Sequence, residues 1–164
     1  MSDNYAVING KKVELTDGQL SMLGFETRNN PFKRGGRYVR YFYIDSDDNI
    51  HKDFDSYLAI ENRRFERVNY FGDEELARQV ALHQLLYRKL LKFAYDNECE
   101  DTKKWGKNNI HWSIKYDNGR STLTSYCQRI YKSQEVHFPS KEDAERAIKE
   151  VVKPFMKEHP DFVW

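Results

Sequence analysis

The stretch from Glu74 to Tyr95 constrains this chain more than any other, because it reads as one long helix that is too apolar for a single buried face. Leu76, Val80, His83, Tyr87, Leu90, Leu91 and Ala94 keep a 3.6-residue period, and Leu82, Leu85, Leu86 and Phe93 widen the stripe beyond it. Such a helix is expected to be the central packing element. Asp73 is placed to cap it, and Glu74 and Glu75 suit the positive end of its dipole.

What precedes the helix is strand-like. Tyr38 and Tyr41–Ile44 form an aromatic, β-favouring run, Asp45-Ser46-Asp47-Asp48-Asn49 supplies a turn, and Ile50–Phe54 offers the returning strand. A polar stretch, Glu61–Arg67, leads to Val68-Asn69-Tyr70-Phe71. The order then recurs. Ile110–Tyr116 alternates as a strand, Asp117-Asn118-Gly119 turns, Ser121–Cys127 returns, and Glu135–Phe138 gives a further strand. Ser140-Lys141-Glu142-Asp143 resembles a capping box, with Asp143 reaching back toward the cap. Ala144, Ala147, Ile148, Val151 and Val152 make the buried stripe of a last helix, which Pro154 is expected to kink or end.

Asn69–Ala77 lies over Val136–Ala144 in pattern: strand, breaker, cap, acidic first turn, small apolar residue. Internal duplication and convergence on a common signal both explain it. The expected fold is α+β. Two similar ββ(β)α modules have antiparallel sheets packed on helices, 31–98 with its helix at 74–95 and 99–164 with its helix at 141–157. Residues 1–30 form a separate small element. Ala6-Val7-Ile8, Asn9-Gly10 and Val13-Glu14-Leu15 read as a hairpin, followed by a short helix from Thr16 or Asp17 through Leu23, ended by Gly24.

At 164 residues the chain suits one compact domain or two modules sharing a core, and its 39% hydrophobic and 15% aromatic content can build that core. The net charge of +1 gives no global field for nucleic acid. Cys99 and Cys127 lack CxxC spacing and are expected to be free thiols, with a single disulfide as the alternative. The polar Met1–Tyr5 start leads us to expect no signal peptide, and no apolar run is long enough for a bilayer, so a cytoplasmic location and no membrane partner are expected.

Catalytic patterns are missing. There is no GxSxG elbow, Walker loop or GxGxxG, and Arg34-Gly35-Gly36-Arg37 is too short to cradle a phosphate ahead of a helix. The histidines are scattered without ligand spacing; His51 and His111 suit packed or edge positions on strands. Asp45–Asn49 copies the first half of a calcium loop, but Ile50 and Ser56 stand where Gly and Glu belong, so a hairpin turn is preferred. No enzyme activity, metal or cofactor is expected.

Binding signals remain. Between Thr27 and Ile44 there are five basic residues, Arg28, Lys33, Arg34, Arg37 and Arg40, and no acidic one. Aromatic rings interleave with them, so that Tyr41 and Tyr43 share one strand face and Tyr38, Arg40 and Phe42 the other. Such a face can stack bases or a nucleotide, or it can be a core face whose tyrosine hydroxyls reach solvent. Arg28, Lys33, Arg34, Arg37, Arg40, Tyr41 and Tyr43 are therefore the candidate binding residues. Arg63, Arg64 and Arg67 read as a solvated face. The apolar end, Phe162-Val163-Trp164, either docks on its own core or engages a partner or a second copy.

Taken together, Asn30-Pro31-Phe32, Tyr41–Asp47, Asn69-Tyr70-Phe71 and Val151–Pro160 resemble a family of small proteins of unassigned function from phages, prophages and mobile elements of Gram-positive bacteria. That family carries a "YYYIDSDG" hairpin and a "NYF-T-EEA" junction; here Asp48 replaces the usual Gly, and Gly72-Asp73 the usual junction residues. The resemblance covers most of the chain after residue 30, through structural motifs alone. It implies a bacterial host cell and a non-catalytic anti-defence binder, concretely an anti-CRISPR-like inhibitor of a host RNA-guided nuclease. Its rivals are a sponge for cyclic-nucleotide or ADP-ribose signals, using Arg37, Arg40, Tyr41 and Tyr43, and a phage structural protein that assembles through the apolar C-terminus.

Overall fold

The computed structural model describes residues 5–8, 10–15 and 30–164. Within them the fold is mixed α+β, with three antiparallel two-stranded sheets. Strands β1 (Tyr5–Ile8) and β2 (Lys11–Glu14) form the N-terminal hairpin, turning where Gly10 takes φ 77°. The helix expected from Thr16 or Asp17 to Leu23 and the candidate Arg28 lie outside the described residues.

Strands β3 (Arg40–Ile44) and β4 (Ile50–Phe54) pair from Arg40↔Phe54 to Ile44↔Ile50 around the Asp45–Asn49 turn. The Asp45 carboxylate closes that turn by accepting from Asp47 N, Asn49 N and the His51 ring. The half calcium loop is thus a self-satisfied hairpin turn. Helix α1 (Ala59–Glu66) follows, where the sequence reading saw only a polar stretch. Helix α2 (Glu74–Asp96) is the long helix, one residue longer than expected, and Asp73 Oδ1 accepts from Leu76 N at 2.7 Å. Strands β5 (His111–Asp117) and β6 (Thr122–Gln128) make the second hairpin.

The third strand of each module is reduced to a single bridge. Phe42 and Phe71 exchange both backbone hydrogen bonds, at 2.8 and 2.9 Å, and Trp112 and Phe138 do the same at 3.0 and 2.7 Å. Two residues beyond each bridge stands a helix cap, Asp73 or Ser140, and four further on a fully buried alanine, Ala77 or Ala144. The pattern seen along the chain is therefore repeated in space. One detail departs from it. Ser140 accepts from Asp143 N, but Asp143 receives the Ser140 hydroxyl at 2.6 Å instead of reaching the cap's backbone N–H. Aspartate is one methylene shorter than the Glu of a full capping box.

Pro154 does not end the final helix. Helix α3 (Lys141–Ala147) passes through a π-helical turn (Ile148–Val152) into α4 (Lys153–Glu158), with Lys153 N donating to Ile148 O. Proline lacks an N–H and its ring crowds the carbonyl four residues back. The π turn widens the spiral just before Pro154, which then occupies the first turn of α4.

Helix α2 serves both halves. Its N-terminal part, with Leu76, Ala77 and Val80, packs on Phe42, Ile44, Ile50 and Phe71. Leu82, Leu86, Leu90, Phe93 and Ala94 join the larger core with Ile114, Val136, Phe138, Ile148, Val152 and Phe155. The excess apolar width of this helix is what buries it between two sheets. Among the described residues no helix is long and apolar enough to cross a membrane.

Candidate binding surface

The basic segment sits at the open end of the β3–β4 hairpin, built around one carboxylate. Asp55, with no exposed surface, accepts from Arg34 Nε at 2.5 Å and Nη2 at 2.7 Å, and from Tyr57 N at 2.9 Å. Its backbone extends the strand pairing, accepting from Tyr38 N and donating to Val39 O. Asn62 Oδ1 on α1 accepts from Arg34 Nη1 at 2.7 Å, so each nitrogen of the guanidinium has a partner. The Tyr57 and Phe65 rings lie 4.3 and 5.6 Å from Arg34 Cζ. This pairing raises the Arg34 pKa and, chiefly through the same hydrogen bonds, holds the Asp55 carboxyl below the usual carboxylate range.

Gly35 completes the frame. Its N–H donates to the Tyr70 hydroxyl and its carbonyl accepts from the Tyr57 hydroxyl. A Cβ on Gly35 would stand 2.5 Å from the Val39 side chain. The Gly35 position thus demands glycine for close packing of the chain on itself.

On this frame aromatic side chains are held outward. Tyr38 is 64% exposed and Tyr57 48%, and Val39, Phe54 and Leu58 are exposed beside them. Tyr38 and Tyr57 both adopt left-handed backbone, φ 66° and 59°, which costs a residue with a Cβ about 1 kcal/mol or more. The Asp55 carboxylate and carbonyl hold the N–H groups of these two residues in that geometry. Arg37 lies over the Tyr38 ring and Arg40 over Phe42, both guanidinium groups in solvent.

The candidate residues therefore separate. Lys33, Arg37 and Arg40 are exposed; Lys33, Arg34 and Arg40 line a cleft of about 410 Å³ closed by Gly35, Gly36 and Tyr70. Arg34 is bound within the frame. Tyr41 is 0% exposed and stacks on Tyr70 at 4.3 Å, so it belongs to the core; burial pushes its hydroxyl pKa up. Tyr43 is half-buried between the His51 ring and Arg64, whose Cζ lies 3.4 Å from its centroid. Arg64 is drawn inward rather than solvated, donating to Tyr41 Oη and to Asp53. Sequence reasoning missed Phe54, Tyr57 and Leu58; the dense apolar spacing through Phe54-Asp55-Ser56-Tyr57-Leu58 was the available signal. Comparison with protein families, with curated proteins and with solved structures found no match to this chain.

Proposed function

We propose that this chain is a non-enzymatic accessory protein of a phage or mobile element that acts by binding a partner protein through the surface around Tyr38 and Tyr57. The observation that carries the reading is the pairing of strained, outward-held tyrosines with Arg37 and Arg40 on a frame fixed by a buried ion pair. Exposed aromatic patches of this kind are costly unless covered, and Tyr and Arg dominate the centres of protein interfaces. The complementary partner surface carries carboxylates or phosphates around an apolar recess. The resemblance to phage proteins supports an anti-defence role, with a host RNA-guided nuclease as the partner.

The test is phage plating on cells armed with such a nuclease. Expression of the chain should restore plaques, Tyr38→Ala and Phe54→Ser should abolish the rescue while leaving the melting temperature unchanged, and the nuclease should co-purify with the wild type alone. Equal rescue by the variants, or rescue in cells without the nuclease, would sink the proposal.

A second reading rests on the cleft beside the surface. Lys33 and Arg40, with Arg34 already held by Asp55 and Asp73 also in the lining, border about 410 Å³, room for a phosphorylated nucleotide such as a sponge for an immune signal would take. It predicts a rise in melting temperature with cyclic dinucleotide or ADP-ribose that Arg40→Ala removes.

A further inference from the structure

A second site lies in the other half of the molecule. A cavity of about 670 Å³ opens where α2 meets β5 and the 133–136 segment. Its floor is the main core itself: Leu86, Leu90, Ile114 and Val136. Tyr87 and Trp164 form aromatic walls, both partly exposed. At one end stands Glu135, fixed by the Ser133 hydroxyl at 3.0 Å and the Gln128 amide at 3.4 Å to the same oxygen.

The charge of the lining decides the class of occupant. Among the described residues no lysine or arginine lines the groove, and Glu135 is the carboxylate side chain in its lining; His83, also at the edge, is turned against Phe162 at 4.8 Å. An anionic amphiphile would meet a like charge with no cation to neutralise it. A cation with an apolar body would place its charge between aromatic faces and the carboxylate, and its body on the aliphatic floor. The volume lies within the ordinary range for small-molecule sites.

We infer that the groove between α2, β5 and residues 133–136 is a binding site for a small organic cation with an apolar body, recognised by Tyr87, Trp164 and Glu135. The site is independent of the surface around Tyr38, so the two readings stand or fall separately.

The experiment titrates the full chain with phenyltrimethylammonium, following the Trp164 indole and the Leu86, Ile114 and Val136 methyl signals by NMR. Those signals should move together and saturate. The neutral isostere tert-butylbenzene should bind about tenfold more weakly, and benzenesulfonate should not bind. Glu135→Gln should weaken the cation by a similar factor without affecting the neutral probe, and Tyr87→Ala should weaken it as well; both side chains are exposed, so the fold is retained. Absence of saturable shifts at millimolar probe, equal affinity for the neutral isostere, or an unchanged affinity in Glu135→Gln would each overturn the inference.

Discussion

Single residues carry the strain and the buried charge in this molecule. Val68 is a β-branched residue at φ 57°, closing α1 as its Val68 N and Asn69 N donate to Phe65 O and Arg64 O. That is the position where helices favour glycine. Val68→Gly should raise the unfolding free energy by about 1 kcal/mol in urea titration. Asp55 is the converse case. Asparagine there leaves Arg34 without its charge partner and should cost about 3 kcal/mol at neutral pH. Because the folded carboxyl titrates below its unfolded value, this stability is present above about pH 4 and is lost as the pH falls through the folded pKa. The wild type and Asp55→Asn should therefore converge in stability toward acid.

His137 acts in the same sense, nearer to neutral pH. Burial lowers its pKa, outweighing the nearby Glu135 and Asp101 carboxylates. It packs edge-on against Trp105, which stacks on His111, and His111 Nδ1 bonds Asp101 at 2.6 Å. The unfolded chain binds the His137 proton more readily, so the contribution is full above about pH 6.5 and is lost as the pH drops through the folded value. A His137→Gln variant should flatten the decline of the urea midpoint between neutral and mildly acidic pH.

At the scale of elements, the paired caps offer a direct comparison. Asp73→Ala and Ser140→Ala should each cost about 1 kcal/mol, since each removes the oxygen that accepts the third amide of a helix. Unequal losses would show that the two junctions, alike in geometry, are not alike in energy. Helix α1 illustrates the opposite problem. Ala59–Glu66 has little amphipathic contrast, and its one buried position is a glutamate, Glu61. What fixes it is Arg64 reaching Tyr41 and Asp53, and Asn62 receiving Arg34, none of which is periodic in the sequence.

At the scale of the whole molecule, α2 ties the halves into one cooperative unit. Residues 31–98 alone would leave Leu82, Leu86, Leu90 and Phe93 uncovered, because their partners come from β5 and the C-terminal helices. Calorimetry of the full chain should give a single transition, and Leu86→Ala should lower stability throughout, by about 3 kcal/mol. The C-terminal segment adds to this unit: Phe162 is buried against Phe155 and His83, and Gln79 binds Asp161 O and Val163 N. Cys99 is buried and Cys127 exposed, and both are free thiols.

The sequence by itself determined the α+β class, the three hairpins, the long helix and the two caps, because each is written in local chemistry: alternation, turn residues, a 3.6-residue stripe, an oxygen before an acidic turn. It also pointed to Thr27–Ile44 as a segment rich in cations. Only the tertiary structure decided which of those side chains face outward. Tyr41 and Tyr38 are alike as residues, yet one stacks on Tyr70 in the core and the other is held in solvent by Asp55. The difference comes from contacts across tens of residues, Arg34 with Asp55 and Arg64 with Tyr41, and a local pattern contains no term for them. The same holds for the π turn that accommodates Pro154 and for the groove beside Glu135, which exists only where α2 and the second module meet.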